Sequence, residues 1–302
     1  MSVSLQALAA GRSRVAARIA DYAELTKPRI TLLVLLTTWV GYMLGAVARV
    51  DPVHALHTLL GTGLVCSGTS ALNQVWERDR DARMRRTRNR PLPAGRLGGD
   101  EALVFGIVLA LAGLAELAWL VQPLAALVAA ATLGSYVFIY TPLKTRTWLC
   151  TAVGAVPGAL PPVIGWAAAH GSLDGGAWAL FAVLYIWQLP HFYAISWVYR
   201  EDYASGGFPM LGVVDATGRR TSIEILSWTA ALLPASLLPA WLGLAGSLYA
   251  TGALVLGLGF LALAVAMAMR CTAPVARRVF LGSILYLPAL FTLLVVDRVA
   301  VI

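Results

Sequence analysis

Charged residues are scarce in this 302-residue chain, at 13% of positions against about 25% in average soluble proteins. That scarcity excludes a soluble globular fold. Cysteine is scarcer still: Cys66, Cys150 and Cys271 lie far apart without metal-type spacing, which argues against a disulfide framework. No cleavable signal sequence is visible; the Arg-bearing, acid-poor first 20 residues fit a short mitochondrial transit peptide and an amphipathic helix at a membrane interface, and the interfacial helix is the expectation. A net charge of +8 invites a nucleic-acid reading. In a polytopic membrane protein a basic excess follows from orientation instead, so no nucleic-acid partner is expected.

What the chain has is apolar length. It is 59% hydrophobic, with a mean hydropathy of +0.75. Nine membrane spans are expected, at about 30–48, 55–73, 102–120, 123–140, 151–168, 176–195, 222–242, 247–269 and 279–297. With a cytoplasmic N-terminus, 21 of the 23 Lys and Arg residues fall inside, leaving Arg49 and Arg298 outside with the C-terminus. The expected architecture is one all-α polytopic domain over 1–302, with an interfacial segment at 1–28 and cytoplasmic cap loops at 74–101 and 196–221. The two loops follow spans 2 and 6, four helices apart. That placement predicts two four-helix halves plus a ninth helix, with the working site between the halves. Span 5 carries Pro157, Pro161 and Pro162, and both a kinked packing helix and a cavity wall fit it. Glu116 is a lone intramembrane acid without an evident partner.

Against this apolar background, Asn73 to Arg96 reads NQVWERDRDARMRRTRNRPLPAGR and holds eight basic and three acidic residues. Asn73, Glu77 and Asp81 recur every four residues, which aligns their oxygens on one helical face over roughly 12 Å. Aligned oxygens suit a hard cation such as Mg²⁺, which keeps its other positions for water and phosphate. The neighbouring arginines complement a polyanion. A purely topogenic anchor accounts for the arginines but needs no acidic face.

A second polar stretch, WQLPHFYAISWVYREDYASGGFPML, closes span 6. His191 follows Pro190, and Asp202 lies 11 residues on, on the same face if the helix continues; Arg200 and Glu201 flank it. Taken alone, such a histidine is more often a hydrogen-bonded structural residue. Lys144 and Arg146 add cations on the same side. Trp187, Phe192, Tyr193, Trp197, Tyr199 and Tyr203 fit an interfacial belt and a carbocation shield equally.

Together these motifs resemble the UbiA-type intramembrane prenyltransferases, and within them the branch that farnesylates protoheme. The resemblance extends to LTKPR (Leu25–Arg29), DARMRRTRNRPLPAG (Asp81–Gly95), YTPLKTRT (Tyr140–Thr147), GALPPVIGW (Gly158–Trp166), the PHF of Pro190–Phe192 and the Asp202–Tyr203 pair, in family order over nearly the whole chain. Most family members carry Asp-rich forms of both motifs; here Glu77 takes the middle of the first.

The resemblance implies nine helices around a central cavity with a cytoplasmic cap; the short N-terminus favours a bacterial inner membrane over a mitochondrial one. It implies Mg²⁺-dependent transfer of the farnesyl group of farnesyl diphosphate, with water, to a vinyl group of heme B. Diphosphate and heme O are the products, with a downstream heme A synthase as a further partner. On that reading Asn73, Glu77 and Asp81 are metal ligands and Asp202 is a second-metal ligand. Arg83, Arg86, Arg90, Arg200 and Lys144 clamp the diphosphate, and His191 acts at the diphosphate or vinyl group, or ligates the heme iron. The rival enzyme is a prenyltransferase of aromatic quinone precursors, which His191 and Phe192 disfavour. A transporter or an oxidase assembly factor is the non-enzyme rival; charge gathered at one membrane face, with little along the midplane, disfavours it.

Overall fold

The computed structural model describes residues 15–46 and 50–299. The N-terminal part of the expected interfacial helix, residues 1–14, lies outside them, as does Arg49. A short helix α1 (15–25) does precede the first span, and its Arg18 and Tyr22 bond Glu101 of a later helix. Then follow α2 (Pro28–Gly45), α3 (Pro52–Asp81), α4 (Gly99–Leu120), α5 (Pro123–Leu143), α6 (Cys150–His170) and α7 (Gly175–Val198). Two short helices, α8 (Arg200–Ser205) and α9 (Leu211–Val214), lead to α10 (Arg219–Trp241), α11 (Ser247–Met269) and α12 (Ala273–Val296). Eight of these are long and apolar enough to cross a membrane. The ninth long helix, α3, has 30 residues and packs along α4 and α2, but its polar C-terminal end lowers its apolar content.

Sequence punctuation explains most boundaries. Prolines open α2, α3, α5 and the second half of α6, where a missing N–H costs nothing. Asp51 caps α3 by accepting from the Val53 and His54 N–H groups. Pro161 and Pro162 break α6 after Ala159, and every residue from Pro161 to Ala168 is buried, so the proline-rich span packs inside the protein. Its Gly165 faces the Thr38 carbonyl of α2, and Gly41 of α2 faces Pro162; a Cβ at either would collide with backbone. Glu116, which had no evident partner in the sequence, meets His57 Nδ1 at 2.6 Å.

The expected cap boundaries shift. Helix α3 continues two turns beyond residue 73, so the first cap connection spans 82–98 rather than 74–101. The second cap begins at Tyr199 and holds α8 and α9. It ends on Asp215, whose carboxylate accepts from the N–H groups of Gly218 and Thr221 and the hydroxyls of Thr217 and Thr221, at 2.8–3.2 Å. Partial burial works against ionisation, but those bonds hold the carboxyl below the usual carboxylate range. Asp215→Ala is therefore expected to cost about 1–2 kcal/mol at neutral pH. Because the folded-state pKa is depressed, this stability is present above the unfolded value and is lost as pH falls through the folded one. Thermal unfolding of both proteins across pH checks this: the two curves converge in acid.

Candidate functional site

The i, i+4, i+8 face of α3 is realised. Asn73, Glu77 and Asp81 are 2%, 2% and 0% exposed at the capped end of the bundle. Each meets one cation, and each cation comes from a different segment. Lys27 Nζ donates to Asn73 Oδ1 at 3.0 Å, Lys144 Nζ to both Glu77 oxygens at 2.9 and 3.0 Å, and Arg90 Nη1 to Asp81 Oδ2 at 2.7 Å. The site is thus a row of three oxygen groups, two of them anionic, each bonded to one of three cations.

Local structure delivers each cation. The α1–α2 turn is pinned to α3 by Gln74 Nε2 donating to the Leu25 carbonyl at 2.8 Å, with Leu25 fully buried. Lys27 then takes a left-handed conformation (φ 48°, ψ 63°), unique among the described non-glycine residues, before Pro28 starts α2. Such backbone costs about 1–3 kcal/mol and persists where surroundings impose it. In α5 a π-helical turn, Ser135–Tyr140, precedes Thr141 and Lys144. Thr141 accepts from Asn73 Nδ2 at 3.2 Å, and Lys144 sits 4.6 Å from the Phe208 ring centre. The first cap folds back through Thr87 Oγ1 donating to the Asp81 carbonyl at 2.8 Å. Arg96 ties that cap to Asp21 and Glu24 of α1, at 2.6 and 2.7 Å.

Burial, with Arg90's charge, pulls the Lys27 ammonium down to about 8 against the pull of Glu77. Burial also lowers the Lys144 ammonium, but Glu77 foremost outweighs it and the net shift is upward. Lys27 is the site residue the sequence reading missed. A signal was present: the chain has only two lysines, and both enter this site.

The donors fit Mg²⁺. Asp81 Oδ1 is buried without a hydrogen-bond partner, an orphaned acceptor beside two other oxygen groups. Among the described residues no three His, Cys, Asp or Glu side chains gather as an all-protein metal cage. One amide and two carboxylates match a cation that shares its coordination with water and phosphate.

The second constellation does not join this row. Helix α7 ends at Val198 and Tyr199 leaves helical geometry, so the expected common face of His191 and Asp202 is interrupted. His191 Nδ1 bonds Ser283 Oγ of α12 at 2.7 Å, and its ring stacks on Trp187, 4.8 Å between centres. Asp202 accepts from the backbone N–H groups of Arg85 and Arg86 at 2.8 and 3.3 Å, clasping one cap to the other. Arg83, Arg86 and Arg200, expected at the diphosphate, line a groove with Asp202 whose lining includes none of the three row residues. Of the aromatic residues, Tyr193 and Trp197 are buried in the core, Phe192 is 40% exposed, and Tyr199 and Tyr203 flank Arg86.

A helical membrane bundle with a polar, cation-lined face at one capped end defines a class. Residues 34–291 match the UbiA prenyltransferase family, and the chain belongs to it. The fold agrees: the structure solved for digeranylgeranylglyceryl phosphate synthase superposes with a TM-score of 0.77 at 16% identity, covering 93% of this chain and 98% of that one. A UbiA homologue from Archaeoglobus fulgidus bound to GPP and Mg²⁺ gives 0.63 at 16% identity, covering 91% of this chain and 99% of that one. Within the family, the chain is 52% identical over 288 residues to the protoheme IX farnesyltransferase of Solibacter usitatus (strain Ellin6076), covering 92% of this chain and 98% of that one. It is 44% identical over 308 residues to that of Koribacter versatilis (strain Ellin345), covering 99% of both.

Proposed function

We propose that the chain transfers the farnesyl group of farnesyl diphosphate to a vinyl group of heme B, giving heme O and diphosphate. The supporting observation is the cation-matched row of Asn73, Glu77 and Asp81 in a chain so close to protoheme IX farnesyltransferases over its length. Asn73, Glu77 and Asp81 would hold Mg²⁺, which supplies charge neutralisation to the departing diphosphate. The protein's own cations do the rest: Lys27, Lys144 and Arg90 turn from the motif oxygens to the phosphate oxygens as the donor enters. The farnesyl C1–O bond breaks, the vinyl carbon bonds C1, and water captures the resulting cation and loses a proton. Burial of the row keeps water from the allylic cation beforehand. The contacts of His191 favour a packing and orienting role at α12. Asp202 acts through the cap, whose first loop it fixes.

Lys27→Met is expected to weaken binding of a non-reactive farnesyl thiolodiphosphate about 10–100-fold, the value of one lost charge-assisted bond. Titration calorimetry in nanodiscs with Mg²⁺ reads this; unchanged affinity removes Lys27 from the clamp. The acceptor is tested by offering the purified protein heme B beside 4-hydroxybenzoate, each with farnesyl diphosphate and Mg²⁺. Prenylation of heme alone is expected, and prenylation of the phenol alone would assign a quinone-precursor activity. Membrane placement follows the charge asymmetry, with the capped face and N-terminus in the cytoplasm of a bacterial inner membrane and the C-terminus outside. Heme O so made is the substrate for an oxidising heme A synthase, the partner this activity feeds.

A further inference from the structure

Three arginines expected at the diphosphate, Arg83, Arg86 and Arg200, share a groove of their own lining. A groove of about 830 Å³ lies between the two caps and the α11–α12 connection, within the size range of small-ligand pockets. Four guanidinium groups line it: Arg83, Arg85, Arg86 and Arg200. Among the described residues none of the four has a carboxylate within 4 Å, whereas Arg90 and Arg96 in the same cap are paired. Asp202 offers them little, since its oxygens are held by backbone N–H groups. Glu201 is the one other acid there. Excess guanidinium charge of this kind is a receptor for anions.

The walls narrow the class of anion. Arg86 lies 5.6 Å from the ring centres of both Tyr199 and Tyr203, and Arg200 lies 4.7 Å from that of Trp197. Val198 and Ala273 add apolar surface. Aromatic and apolar walls beside exposed guanidiniums suit a planar, amphipathic carboxylate better than a free phosphate. A chain of side-chain contacts runs from Arg86 of the groove toward the first site. Tyr203 packs on Phe208 at 6.4 Å between centres, and Phe208 carries Lys144 at 4.6 Å.

We infer that this groove docks the carboxylates of the porphyrin acceptor, apart from the site that holds the donor's diphosphate. The inference rests on the heme reading above. In protoporphyrin IX the propionates and vinyls lie on opposite edges, so an acceptor needs its carboxylate anchor at a distance from the reacting carbon. Arg83 and Arg200 are exposed side chains from different caps, so their replacement leaves the buried row intact.

The test measures equilibrium binding of heme B and of its dimethyl ester to full-length protein in neutral-lipid nanodiscs, without donor. Arg83→Gln/Arg200→Gln is expected to weaken heme B binding about 10–100-fold. The same variant leaves binding of the ester, and of farnesyl thiolodiphosphate, within twofold of the parent. Equal losses for heme B and ester would overturn the inference, as would loss of thiolodiphosphate binding, which returns these arginines to the donor. Phosphatidylglycerol is added as the competing source of anion. Displacement of heme by this lipid in the parent, with no arginine dependence of heme binding in its absence, assigns the groove to headgroups and overturns the inference. Failure of the heme reading itself shows differently: the parent then binds heme no better than it binds the ester and makes no heme O.

Discussion

Asp81→Asn is expected to lower farnesyl transfer on the order of 10²–10³-fold while the protein stays folded, the range seen when one preorganised charge-stabilising group is removed. The substitution keeps the shape of a side chain that is 1% exposed. The asparagine oxygen can still accept from Arg90, which lies 2.7 Å from Oδ2 in the parent. What disappears is the anionic charge on the one motif group whose second oxygen is buried without a partner. The rate of heme O formation at saturating substrates, against Mg²⁺ concentration, measures it. A rate recovered in part by added Mg²⁺ places the defect in metal affinity; a parental rate at low Mg²⁺ removes Asp81 from the metal site.

Lys144→Met is expected to destabilise the fold by about 3–5 kcal/mol, because it leaves Glu77 buried without its bonded cation. The two side chains are 14% and 3% exposed and bonded through both carboxylate oxygens. Removing the charges together avoids that cost, so Glu77→Gln/Lys144→Met should melt within a few degrees of the parent in the same detergent. Activity behaves differently. Neither single variant nor the double one regains transfer, since metal and diphosphate each lose a partner. Recovery of stability without recovery of turnover separates the functional use of the pair from its structural one. Recovery of both would make the pair a packing device only.

The helical face of α3 was legible because it is a local pattern: four-residue spacing on a continuing helix survives any packing. Helix number was legible for a related reason, as apolar length sets what can cross a bilayer. The cations were harder. Arg90 and Lys144 were visible as charge near the motif, but Lys27 reaches Asn73 across 46 residues through a left-handed turn that no propensity rule assigns to lysine. The face shared by His191 and Asp202 failed for want of a stop signal. Pro190 sits inside α7 without ending it, while the break falls at Tyr199, an ordinary helix residue. Asp202 then finds backbone donors in the opposite cap, a contact set by tertiary packing alone. The His57 partner of Glu116, 59 residues away, was hidden in the same way.

The most direct test is mass spectrometry of hemes extracted from membranes carrying this protein, supplied with heme B, farnesyl diphosphate and Mg²⁺, beside membranes carrying Asp81→Ala. The expected result is a heme heavier than heme B by one farnesyl group plus water, present with the parent and absent with the variant. Folded parent protein that leaves heme B unchanged under these conditions would contradict the heme assignment.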